Sequence, residues 1–148
     1  MHRNIANFVP PNDPAGDSHG TSAAIEYAVT ALKVSHILVV GHSACGGVAA
    51  CHAVSTGAAP QLDDPTSHIG RWIQFLKPAY TRAADRINGD MRVLEKEAVT
   101  LSLDNLMTYP FVADAVNDGS LTLTGLWTDI GSGGLEVFDP ATGDFHQA

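Results

Sequence analysis

The chain has 148 residues, 45% of them hydrophobic and 16% charged, with eight Lys and Arg against sixteen Asp and Glu for a net charge of −8. That length reads as one domain over residues 1–148 with room for a proper core, and the composition excludes an intrinsically disordered chain. The acidic balance is spread along the chain and argues against nucleic acid or a membrane surface as partner, since both need clustered cations.

In chain order, Ile5 to Val9 reads as a short strand stopped by Pro10 and Pro11, and Asn12 to Gly20 is turn chemistry. Thr21 or Ser22 caps a helix in which Ile25, Ala28, Val29 and Leu32 share a face. His36 to Gly41 is the clearest strand, and its unalternated apolar run predicts cover on both faces. Gly41-His42-Ser43-Ala44-Cys45-Gly46-Gly47 follows and passes into a small-residue helix over Val48 to Val54. A loop from Thr56 to Thr66 leads to a helix around Ile69, Trp72, Ile73 and Leu76, then a longer helix between Leu94 and Met107. Pro110 breaks that helix, and a short one near Val112 to Val116 ends at Asp118-Gly119. Leu121 to Trp127 and Leu135 to Phe138 read as strands, and the turn from Asp139 to Gly143 predicts a hairpin at the sheet edge. The alternation predicts an α/β fold with a mainly parallel open sheet and flanking helices.

Two cysteines, Cys45 and Cys51, make no disulfide framework, the start Met1 to Ile5 has no apolar leader, and no run approaches the ~18 apolar residues of a membrane span. A soluble, cytoplasmic protein is expected. In open α/β sheets ligands sit at the carboxyl ends of strands, the position of His42 to Gly47. His42 and Cys45, spaced H-x-x-C, can share one metal ion, and imidazole nitrogen with thiolate sulfur suits zinc. Gly46 and Gly47 place N–H groups at a helix start, where an anion such as a substrate is stabilised.

Four segments resemble the β-class carbonic anhydrases: Arg3 to Asn7, Gly20 to Val29, Gly41 to Gly47 and Ser102 to Val112, with Gly125 to Gly133 also family-like. The resemblance implies a zinc-dependent interconversion of CO2 with bicarbonate and a proton, in a homodimer or dimer of dimers. In the family two cysteines and a histidine hold zinc, and His42 and Cys45 match two of those positions. Water, or an aspartate in a closed state, takes the fourth. Zinc lowers the pKa of bound water toward ~7, and no catalytic residue is identified beyond that water.

The family's first zinc cysteine lies in a C-x-D-x-R strand upstream of the Arg-Asn segment, and this chain begins at that segment. The first cysteine, the aspartate, its arginine and the N-terminal helices therefore have no counterpart here; an earlier start of the natural chain and a truncated relative both stay open as readings. The family's sheet order puts that strand between the Ile5 to Val9 strand and the His36 strand, leaving two edges unpaired unless they pair with each other or with another chain. Cys51 lies about 240° round a helix from Cys45 and points away from it. His52, Asp17 and His19 are no better favoured by spacing, and His36, His68 and His146 read as ordinary strand, helix and tail histidines. Arg3 matches an arginine that helps bind regulatory bicarbonate in some members, but its aromatic partner is Thr128 here, so that regulation is not carried over.

Two other readings stand beside the enzyme. One is a non-catalytic relative that folds, dimerises and binds zinc weakly. The other is a serine hydrolase, because Gly41 to Cys45 nearly fits a nucleophile elbow at Ser43 and Asp129 or Asp139 before His146 completes the order of a triad.

Overall fold

The computed structural model describes residues 1–13 and 20–148. Four strands, β1 (His36–His42), β2 (Thr122–Thr128), β3 (Leu135–Asp139) and β4 (Asp144–Gln147), form one sheet in the order β1-β2-β3-β4. The sheet is mixed. β1 and β2 run parallel with Gly41 opposite Trp127 and His42 opposite Thr128, whereas β2–β3 and β3–β4 are antiparallel. The expectation of a mainly parallel sheet narrows to that first pair, because the connections after β2 and β3 are too short for a crossover helix. The open α/β sheet with flanking helices and the closing hairpin are as expected.

Among the described residues five α-helices accompany the sheet: α1 (Gly20–Glu26), α2 (Gly46–Ser55), α3 (His68–Ile87), α4 (Arg92–Leu106) and α5 (Pro110–Asn117). α1 passes into a π-helical turn over Tyr27–Ala31, and Leu32, expected on the apolar face, is 60% exposed. α3 starts at the Ser67 cap, runs through Pro78, well past Leu76, and stops where Asn88 turns left-handed. Among the described residues no helix is long and apolar enough to cross a membrane.

α4 is the central element. One side joins α2 and α3 in a cluster containing Val48, Cys51, Ile73, Leu76, Leu94 and Ala98, and the other packs Val99 and Leu106 with Val39 of the sheet and Val112 of α5. Gly41 and Gly125 permit this approach, since a Cβ on Gly41 would stand 2.6 Å from Val99 Cγ2 and one on Gly125 would stand 3.0 Å from Val99 Cγ1.

Two expectations at the sheet's edge are corrected. Ile5 to Val9 is no strand: Ile5–Asn7 form a 3-10 turn with Ala6 and Asn7 at positive φ. The cause is local. The Asn4 side chain accepts from Phe8 N at 2.9 Å and donates to Phe8 O at 2.7 Å, which offers the backbone partners other than a ladder. Val9 then donates to Ser102 Oγ of α4 and accepts from Asn105 Nδ2. Nor is β1 covered on both faces. Val39 and Gly41 face α4, while Leu38 and Val40 on the opposite face are 57% and 45% exposed. Away from β2, β1 has no strand partner among the described residues.

Candidate metal centre

The site forms where β1 hands over to α2. His42 is the last residue of β1, and Ser43 N continues the ladder by donating to Thr128 O at 2.9 Å. Ala44 then takes a left-handed conformation with φ 56°, which reverses the chain and sets Cys45 as the N-cap of α2. Cys45 is a free cysteine, 4% exposed, whose carbonyl accepts from Ala49 N at 2.9 Å.

His42 Nδ1 lies 2.9 Å from the Ser43 carbonyl oxygen. A carbonyl only accepts, so Nδ1 carries the proton and Nε2 is left with its lone pair free. Such a bond from the remote nitrogen is the usual way a metal-binding imidazole is held. A free buried thiol three residues on makes an imidazole–sulfur pair whose chemistry suits zinc. The pair is incomplete as a cage: no group of three or more His, Cys, Asp or Glu residues able to hold a metal occurs among the described residues.

The other candidates are distributed differently. Cys51 is 1% exposed in the apolar cluster around α3, and burial pushes its thiol pKa up, as suits a packing residue. His52 packs edge-on against Tyr80 at 5.8 Å. Asp17 and His19 lie outside the described residues. Gly46 and Gly47 are the first two residues of α2, where N–H groups have no partner within the helix. Nothing stands within 4 Å of a Cβ placed on Gly46, whereas one on Gly47 would meet Ile5 Cγ2 at 2.5 Å. Gly47 therefore lets α2 seat against the Ile5–Asn7 turn.

Ser43 is not aligned as a nucleophile. Its hydroxyl donates to Asp129 Oδ1 at 3.2 Å and accepts from Ile130 N at 2.9 Å, a lock between the β1 tip and the loop after β2. Asp129 therefore bonds the hydroxyl directly, with no imidazole between them. His146 sits three strands away on β4 and contacts Thr142 Oγ1. The hydrolase triad is not assembled.

Two residues of the site escaped the sequence reading. Glu95 of α4 is 3% exposed; its Oε1 accepts from Cys45 N at 3.2 Å and its Oε2 from Trp127 Nε1 at 3.2 Å. Lys96 Nζ stands 4.8 Å from the centre of the Trp127 ring and pairs with Glu136 at 2.7 Å. The available signal was helical spacing, since Glu95 shares a face with Ala98, Val99 and Ser102, all buried.

Comparison with known proteins bears on the family and the fold. The carbonic anhydrase family model matches residues 1–135. Beta carbonic anhydrase 3 of Arabidopsis thaliana is 40% identical over 146 residues, covering 93% of this chain and 54% of the relative, so the chain spans about half that relative's length. The β-carbonic anhydrase CcaA superposes with TM-score 0.86 at 26% identity, covering 99% of this chain and 70% of that one. A structure from a study of two tetrameric β-carbonic anhydrases of Sordaria macrospora gives TM-score 0.70 at 31% identity, over 92% of this chain and 66% of that one.

Proposed function

The chain belongs to the β-class carbonic anhydrase family, and from that premise we propose that it serves the reversible hydration of CO2 to bicarbonate and a proton through a zinc site of which His42 and Cys45 are two ligands. The observation that carries this reading is the bond from His42 Nδ1 to the Ser43 carbonyl, which commits one ring nitrogen and leaves Nε2 for a metal. Zinc supplies the Lewis acid that makes water nucleophilic near neutral pH. The chain's own residues do the rest: His42 and Cys45 hold the ion, and the N–H groups of Gly46 and Gly47 at the start of α2 receive bicarbonate. A homo-oligomer is part of the reading, supported by the exposed Leu38 and Val40 on a strand with one edge unpaired among the described residues. So is a reducing, cytoplasmic setting, supported by two free thiols.

One observation favours a second reading, a zinc-binding or dimerising relative without turnover: two donors are short of the three protein ligands usual in catalytic zinc sites. Metal content measured together with stopped-flow CO2 hydration separates the two. Zinc-dependent hydration that disappears in His42→Ala supports the enzyme. Bound zinc without hydration supports the relative, and protein that takes up no zinc under reducing conditions contradicts both.

A further inference from the structure

Among the described residues Glu95 is the only charged side chain in the buried core. Burying a carboxylate is costly unless its oxygens find donors, and each oxygen here has one: the Cys45 N–H on Oε1 and the Trp127 indole N–H on Oε2, both at 3.2 Å. Both donors can only donate, so the place suits a pure acceptor at both oxygens.

What the carboxylate touches gives it a purpose. The Cys45 carbonyl is already held by Ala49 N, so Glu95 closes the other end of the same residue. Cys45 also follows Ala44, whose left-handed backbone persists only where its surroundings fix it. Trp127, which holds Glu95 in turn, neighbours Thr128, and Thr128 pairs with His42 in the β1–β2 register. Both ends of the H-x-x-C segment are thereby referred to one short piece of β2: His42 through the ladder, and Cys45 through Glu95 and Trp127.

We propose that Glu95 is a positioning residue for Cys45, fixing its N–H and with it the direction of its Cα–Cβ bond, so that the sulfur is presented to the metal at a set geometry beside His42. The metal half of this statement rests on the zinc reading above. The positioning half does not.

Two readouts on the reduced full chain test it. In metal-free protein, Glu95→Gln turns an N–H2 group toward one of the two N–H donors. Amide exchange at Cys45 is then expected to rise about tenfold or more, with Cys51 and Val54 farther along α2 unchanged. In cobalt-substituted protein, Glu95→Gln is expected to alter the thiolate-to-cobalt absorption band, and chelator competition should show zinc affinity lowered about 10- to 100-fold. Glu95→Asp, which keeps the carboxylate, is expected to recover part of both. Should Glu95→Gln fail to fold, Trp127→Phe removes only the Oε2 donor and is expected to raise Cys45 exchange by less. Unchanged Cys45 exchange in folded Glu95→Gln, or in Trp127→Phe where that variant must stand in, overturns the proposal. So does an unaltered cobalt band in folded Glu95→Gln. Wild-type protein that takes up no cobalt defeats the zinc reading alone, and the exchange rate still decides whether Glu95 holds Cys45.

Discussion

The imidazole of His42 gives its Nδ1 proton to the carbonyl of Ser43, its immediate neighbour, across 2.9 Å. Ser43 is itself fixed, because its hydroxyl bridges Asp129 Oδ1 and Ile130 N. The ring is thus oriented by a residue anchored on the loop after β2, and that loop is the first place to perturb the proposed site without touching His42 or Cys45.

The Asp129 carboxyl is held below the usual carboxylate range, first by the Gly131 N–H and then by the Ser43 hydroxyl. A native value below the unfolded ~3.9 means this contribution is fully present above that pH and is lost as pH falls through the native value. The urea-midpoint difference between wild type and Asp129→Asn should therefore be flat from about pH 5 to 8 and shrink below about pH 4. A difference that grows on acidification contradicts the assignment.

Gly47 and Gly46 make a paired comparison. Alanine at position 47 drives a Cβ into Ile5 Cγ2 and Ala6 Cβ, at 2.5 and 3.0 Å, while position 46 is open. Equilibrium unfolding should give Gly47→Ala a loss of about 1–3 kcal/mol, with Gly46→Ala within about 0.5 kcal/mol of wild type. Equal losses at the two positions would show that the close approach of the Ile5–Asn7 turn is not what selects glycine.

How far the sequence reveals this fold depends on where the forces lie. β1, α2, α4, β2 and β3 are legible within a residue or two, α4 from the period of its buried face and β1 from its continuous apolar run. Ile5 to Val9 misleads because its apolar residues do enter the core, with Phe8 fully buried, while Asn4, Ser102 and Asn105 take over its backbone hydrogen bonds. No local pattern announces partners about a hundred residues away. His42 and Cys45 stand out through a short spacing of rare residue types. Glu95 does not, since a lone acid on an apolar helix face acquires meaning only when the fold brings it to Cys45.

Ser102 carries the long-range tie. It is fully buried; its Oγ accepts from Val9 N at 3.2 Å and donates to Ala98 O at 2.9 Å. Ser102→Ala strands the buried Val9 N–H, for an expected loss of about 1–3 kcal/mol in urea unfolding. A loss below about 0.5 kcal/mol would mean that the N-terminal segment is held by its apolar contacts alone.

Leu38 and Val40 point away from α4 on a strand with one edge unpaired among the described residues. An apolar surface beside an unpaired edge favours association. Sedimentation of the wild type should report a dimer or larger species, and Leu38→Lys with Val40→Lys should shift it toward monomer with the melting temperature of the monomeric unit retained. Wild type that sediments as a monomer at micromolar concentration contradicts this.

The most direct test of the central claim is X-ray absorption at the zinc edge on reduced, zinc-supplied protein. The account predicts at least one imidazole nitrogen at ~2.0–2.1 Å and one sulfur at ~2.3 Å, with the sulfur lost in Cys45→Ser and the imidazole signature lost in His42→Ala. A spectrum of oxygen scatterers alone, unchanged by either substitution, contradicts it.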